Sequence, residues 1–191
     1  YELFSQRGFP MLTELWQAYP TGTNMVYNAQ EARIPEQYFE RCTSEHMVKT
    51  LVVKSKGCFN CPMHCSHMLL VKEGPYAGTL CEGMEGVTTG SVFVNGIFDL
   101  NVATKFNAMC NQLGLDTGET GWATAWATEC FERGILTPED TGGITLRWGD
   151  AETFLDLVNK IAYRQGFGNL LADGTYVASK RIGRGTEKYA H

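Results

Sequence analysis

The sequence carries no excess of positive charge: 16 Lys and Arg stand against 21 Asp and Glu, a formal net charge of −5. The basic residues are scattered rather than gathered, so the electrostatic footprint of a nucleic-acid-binding surface is missing. Charge of either sign is sparse, at 19% of 191 residues, while 43% are hydrophobic. That excludes a disordered chain and leaves enough apolar side chain for a core in one or two small domains. Long apolar runs are absent too. The uncharged stretch from Gly86 to Phe98 is interrupted by Thr, Ser, Asn and Gly and falls short of the ~18 residues a membrane-spanning helix needs, so no span is expected. Cysteine, by contrast, is plentiful: there are seven, an odd number, three of them at positions 58, 61 and 65. A disulfide framework does not fit that pattern, which points to a reducing compartment, the cytoplasm, and to metal ligation. The chain opens at Tyr1 without an initiator Met or signal-peptide pattern and stops at His191. It is therefore expected to be a piece of a longer polypeptide, with some ligands lying elsewhere.

Periodicity predicts mostly helix. After a short helical start and the turn-rich passage Tyr19-Pro-Thr-Gly-Thr-Asn24, Pro35 and Glu36 open a helix expected to reach about residue 47. Gly74, Gly78, Gly83, Gly86, Gly90 and Gly96 then stud a stretch expected to be long and irregular. Val102, Phe106, Met109 and Leu113 recur at helical spacing before Gly114, and Asp116 or Thr117 can cap a second helix to about Glu132. A third starts at Asp150 and presents Phe154, Leu157, Val158 and Ile161 on one face, and a last one covers about 170–181. Strand patterns are confined to 51–53, 68–71 and 144–147. The expected fold class is mainly α: a multihelical domain over residues 1–191 with a Gly-rich irregular loop and a cysteine-cluster loop.

The run Cys58-Phe-Asn-Cys-Pro-Met-His-Cys65 is the most specific chemical signal. Its three thiolates can reach three corners of a cubane iron–sulfur cluster from one tight loop, stiffened by Pro62. The fourth ligand would be Cys42, Cys81, Cys110 or Cys130, or lie outside the chain. Structural zinc completed by His64 or His67, and unligated core thiols, also satisfy the spacing. Cys42 and His46 stand four apart in the expected 35–47 helix, a geometry that can bind metal, although a packed thiol and a surface histidine is the plainer reading. Cys110 and Cys130 fall on apolar helical faces and read as core; Trp122 and Trp126 read as a packing pair. Leu113-Gly-Leu-Asp116 is a helix stop followed by a helix start, leaving the N–H groups of Thr117, Gly118 and Glu119 free to meet an anion or a polar ring edge.

Gly57-Cys-Phe-Asn-Cys-Pro-Met-His-Cys65, the Gly-rich segment, Cys110-Asn-Gln-Leu-Gly-Leu-Asp-Thr117 and Cys130-Phe-Glu-Arg-Gly-Ile-Leu136 together resemble the aldehyde ferredoxin oxidoreductase family. The resemblance covers essentially the whole chain, as the family's central helical domain. It implies a tungsten or molybdenum bis-pyranopterin cofactor and one [4Fe–4S] cluster, with Cys58, Cys61 and Cys65 as cluster ligands and the fourth ligand outside the chain. By the same resemblance Asp116, Thr117 and Asn111 contact pterin, Asn111 standing where the family motif has Asp. In Thr79-Leu-Cys-Glu-Gly-Met-Glu-Gly86, Glu82 and Glu85 correspond to carboxylates near the metal, Glu85 being the clear match. Cys81 resembles the tungsten-ligating cysteine of the branch that includes the benzoyl-CoA reductase tungsten subunit. Read from their place beside the cysteine run, His64 and His67 are either exposed loop residues or cluster neighbours that tune its potential through hydrogen bonding, His64 the preferred one. The implied chemistry is oxidation of an aldehyde to a carboxylate. Electrons would pass to ferredoxin or an electron-transfer subunit, and the remaining domains of the same polypeptide would complete the site. The alternatives are reduction of an aromatic thioester and a non-catalytic iron–sulfur or zinc module.

Overall fold

The computed structural model describes residues 2–83 and 86–191, by backbone alone at Phe4 and 86–89. Two short helices, α1 (Glu2–Arg7) and α2 (Leu12–Ala18), lead in on either side of a 3-10 turn at Phe9–Met11. The helix expected over 35–47 is broken. Helix α3 (Glu36–Phe39) passes into a 3-10 turn at Glu40–Cys42, and a new helix, α4 (Ser44–Thr50), begins after Thr43. Thr43 is extended; its hydroxyl donates to the Glu40 carbonyl at 2.8 Å and accepts the His46 N–H at 3.2 Å, the geometry of an N-cap. The first residue of α4 is fastened to α2, because the Ser44 amide and hydroxyl both donate to Glu14, at 2.9 and 2.6 Å. Cys42 and His46 thus lie on opposite sides of a helix cap, so the geometry that could bind metal is not formed, and Cys42 is a packed thiol as the plainer reading has it.

Strands β1 (Val52–Lys56), β2 (Ser66–Leu70) and β3 (Leu80–Gly83) form an antiparallel sheet in that order. β1 and β2 grow from the apolar runs at 51–53 and 68–71. β3 and helix α5 (Gly86–Phe93) arise instead inside the Gly-rich stretch expected to be irregular. Pairing is what makes β3 a strand: Cys81 stands opposite Leu69 and Gly83 opposite His67, so these four share the buried face.

Three longer helices follow, α6 (Leu100–Leu113), α7 (Thr117–Glu132) and α8 (Ala151–Ala162), each capped by an aspartate: Asp99, Asp116 and Asp150. Gly114, left-handed at φ 69°, closes α6 as the sequence implies. The last expected helix is two pieces, α9 (Gly168–Leu171) and α10 (Thr175–Ile182), because Gly174 at φ 85° interrupts it. The expected 144–147 strand is loop; the Ile144 carbonyl is taken by the Thr141 hydroxyl at 2.6 Å rather than by a neighbouring strand. Among the described residues no helix is long and apolar enough to cross a membrane.

Phe93, Phe98, Phe106 and Val158 pack α5, α6 and α8 together, while Trp126, Leu136, Leu157 and Leu171 fill the space where α7 to α10 meet. A smaller cluster of Met47, Leu51, Leu69, Val71 and Leu100 seals the sheet. Trp126 sits wholly in the core and donates its indole N–H to the Thr186 carbonyl at 3.1 Å; Trp122 instead lies edge-on to His191. Tyr27, Asn28 and Ala29 form a left-handed turn, at φ 52°, 52° and 62°. The Asn28 amide donates to the buried Glu129 carboxylate of α7 at 2.6 Å and to the Tyr189 carbonyl at 2.9 Å, and Arg133 grips the other oxygen of Glu129 at 2.8 Å.

α5 and α7 cross closely because Gly121 has no side chain: a Cβ there would lie 2.6 Å from the Ser91 Cβ and 2.7 Å from its carbonyl oxygen. Gly121→Ala is expected to cost about 1–3 kcal/mol by overpacking. The check is the denaturant midpoint of the chain; a fall at constant slope supports the tight crossing, and no change shows that the helices can part.

Candidate metal and cofactor site

The cysteine run is the connection between β1 and β2, so Cys58, Cys61 and Cys65 all lie in one hairpin loop. A turn closes from the Cys61 amide to the Cys58 carbonyl at 3.0 Å, and Asn60 and His64 are left-handed at φ 57° and 48°. Cys58 is exposed and Cys61 and Cys65 are half-buried. Among the described residues no three His, Cys, Asp or Glu side chains are gathered in metal-binding geometry. Cys42, Cys110 and Cys130 lie in the apolar clusters, away from the loop, and burial pushes each thiol up to about 12.

That contrast has a direct readout. With the ordinary value at 9.0 and the buried one near 12, the core thiols hold about a thousandfold less thiolate at neutral pH. Iodoacetamide is expected to label Cys58, Cys61 and Cys65 in the metal-free native chain and to reach Cys42, Cys110 and Cys130 only on unfolding, as peptide mass mapping would show. Early labelling of the buried three would contradict the packing described.

Cys81 occupies the buried face of β3 against α6. Its thiol donates to the Thr104 carbonyl at 3.5 Å and accepts the Asn107 amide at 3.5 Å. Asn107 also donates to the Glu82 carbonyl at 2.6 Å, fixing helix to strand beside the sulfur. Burial pushes the Cys81 thiol up and the Asn107 amide pulls it down. Glu82 alternates to the other face, where Lys56 holds it as an ion pair and the Ser66 hydroxyl donates at 3.1 Å. The Lys56 hydrogen bond keeps this carboxyl below its usual value, so it is an anchored anion. Glu85 lies outside the described residues.

Asp116 is exposed and accepts the Glu119 amide at 2.6 Å as the N-cap of α7, while Thr117 begins that helix and Asn111 is exposed on the last turn of α6. An apolar cleft of about 190 Å³ opens beside Gly118 of the same helix end, walled by Phe9, Trp16, Phe93 and Trp122. His64 is exposed. His67 is buried at 1% exposure; neither ring nitrogen makes a hydrogen bond of full geometry, and the Gln6 backbone acts on the ring weakly, pulling its pKa up against burial. Burial lowers the pKa of this imidazole, so it is neutral and has one N–H to give.

The family model for aldehyde ferredoxin oxidoreductase, domains 2 and 3, matches residues 3–191. The chain belongs to the aldehyde ferredoxin oxidoreductase family. It is 36% identical over 164 residues to the tungsten-containing aldehyde ferredoxin oxidoreductase of Pyrococcus furiosus, the match covering 85% of this chain and 26% of that protein. The aliphatic sulfonate oxidoreductase WOR-like subunit of the same organism is 33% identical over 135 residues, 70% of this chain and 22% of that one. Among solved structures, the BamBC active-site complex of benzoyl-coenzyme A reductase with 1,5-dienoyl-CoA aligns at a TM-score of 0.75 and 25% identity, covering 98% of this chain and 27% of that one. The chain spans about a quarter of the length of these relatives.

Sequence patterning passed over Asn107, which reads as one polar residue in the apolar run Phe106-Asn-Ala-Met109, and Lys56, which reads as an ordinary strand-end cation. An amide placed on a helix's buried face is the available signal for the first. Nothing local marks the second.

Proposed function

We propose that this chain is the central helical part of a tungsten bis-pyranopterin iron–sulfur oxidoreductase that oxidises an aldehyde to a carboxylate and passes the electrons to ferredoxin or a partner subunit. The donor chemistry suits the cofactors: three thiols on one hairpin loop for a [4Fe–4S] cluster, with a fourth from beyond this chain, and a separate soft donor on β3 for the metal. The observation that carries the reading is Cys81, a thiol seated on a rigid strand by the Thr104 carbonyl and the Asn107 amide. The bound pterin and metal would supply the two-electron redox step. The chain's own residues would position and protonate. Asn107 keeps an N–H on the Cys81 sulfur after that thiol gives up its proton, offsetting the effect of burial on the thiolate. Asp116 and Thr117 present the start of α7 to a polar ring edge, Asn111 contributes an amide, and the cleft beside Gly118 has room for the apolar part of a substrate. Glu85 would exchange a proton with bound substrate, and Glu82, tied to Lys56, supplies fixed negative charge on the opposite face.

Metal and sulfide analysis of the anaerobically purified full-length protein tests this directly. Tungsten or molybdenum with about four iron and two pterins per chain is the expected composition; zinc alone, with no pterin, would withdraw the enzyme reading. A second reading, reduction of an aromatic thioester, is favoured by Cys81 itself, because a cysteine at this place resembles the benzoyl-CoA reductase branch. Dye-linked assays with short aldehydes and with aromatic thioesters separate the two.

A further inference from the structure

We propose that His67 is a positioning residue for the iron–sulfur cluster, its ring N–H directed to a sulfur held by the Cys58–Cys65 loop; this rests on the cluster assignment above. The ring is buried, yet neither nitrogen makes a hydrogen bond of full geometry, the Gln6 backbone being a weak contact. A buried polar group left without a full hydrogen bond is destabilising, so a fold that retains one at 1% exposure is explained when a partner arrives with a bound group. The fold works to keep the imidazole in place. Gly8, at φ 67°, comes so close that a Cβ there would lie 2.6 Å from the His67 Cε1 and 2.5 Å from the Cys65 carbonyl oxygen, so a side chain at residue 8 would displace either the ring or the loop's last residue. Directly across the ladder stands Gly83, which adds no side chain to crowd the ring.

The partner is a loop sulfur for two reasons. His67 follows Cys65 by two residues across the entry to β2, the spacing that sets alternate residues of an extended chain on one side, and a Cβ at Gly8 would meet both the His67 ring and the Cys65 carbonyl. The other sulfur on this face, Cys81, is already supplied by the Thr104 carbonyl and the Asn107 amide. His64, although inside the loop, is exposed and free to turn to water. His67 also lies between the two thiol sites: Cys65 is the loop residue just before β2, and Cys81 is the diagonal neighbour of His67 on β3. An N–H given to a cluster sulfur stabilises the reduced, more negative state and raises the reduction potential.

The test uses the reduced full-length holoenzyme. His67→Leu, which removes the donor, is expected to move the cluster midpoint in an EPR-monitored titration to a more negative value. His67→Gln, which retains an N–H, is expected to stay near wild type. An unchanged midpoint in a folded, fully loaded His67→Leu protein overturns the proposal. Should that variant fail to fold, pulsed EPR of wild-type protein grown on ¹⁵N-histidine decides: a histidine nitrogen coupled to the reduced cluster, retained in His64→Asn, supports it, and no coupling overturns it. Protein with no iron–sulfur signal at all would instead bring down the cluster assignment on which the proposal stands.

Discussion

Cys81→Ser in the full-length protein is expected to reduce turnover to background and to remove most of the tungsten with it. Serine occupies nearly the same volume, and its hydroxyl can still donate to the Thr104 carbonyl and accept from Asn107, so strand and helix stay together. If Cys81 holds the metal as proposed, what changes is the donor atom: a hard hydroxyl oxygen, very hard to deprotonate, would replace a soft, polarisable thiolate at a metal that favours sulfur. Groups that merely orient metal ligands cost about 10–100-fold in affinity when removed, and a ligand itself is expected to exceed that range. Tungsten per chain, measured by mass spectrometry alongside the steady-state rate, is the check. Full tungsten and near-normal turnover would return Cys81 to the company of Cys110 and Cys130 as a buried thiol without a ligand role.

The largest effect on stability is expected from Asn28→Ala, about 3 kcal/mol. Two hydrogen bonds disappear, one of them to the buried Glu129 carboxylate that also pairs with Arg133, and bonds to charged groups carry about 1.5–3 kcal/mol each. The left-handed backbone at φ 52° adds a further cost of about 1 kcal/mol, because alanine lacks the local polar compensation that lets asparagine adopt it. Asn28→Gly separates the two contributions: it loses the same bonds but fits the backbone, and should unfold at a midpoint between wild type and alanine. Equal midpoints for glycine and alanine would show that the turn carries no conformational cost. Glu129→Gln should be milder than either, since a glutamine can still accept from Asn28 while giving up only the charge pair with the partly exposed Arg133.

The long helices were legible because every signal agreed. Asp99, Asp116 and Asp150 each precede an apolar repeat, and a local side-chain cap needs nothing from the rest of the molecule. Where the structure departs from the pattern, a distant group decides. Pro35 and Glu36 open a helix as read, but Thr43 ends its continuity by capping a new one whose first residue is held by Glu14, thirty residues upstream. Strand β3 and helix α5 were hidden for a similar reason: the glycines that suggest irregular chain are, at Gly83, what allows close approach to Leu69 in the facing strand. Of the candidate site, the cysteine loop and the aspartate at the start of α7 are readable as linear motifs. The seat of Cys81 is not, because Thr104 and Asn107 reach it from more than twenty residues away.

The clasp at Asn28 also fixes a sequence of events. Its two side-chain bonds join residues 101 and 161 positions apart, whereas the sheet and its hairpin loop are closed by contacts between near neighbours in the chain. On a ribosome that adds about 5–20 residues per second, the partner carbonyl at Tyr189 emerges roughly ten to thirty seconds after Asn28 has been made. Asn28 is therefore locked long after it has been made, and during that interval the hairpin that carries Cys58, Cys61 and Cys65 can already be formed.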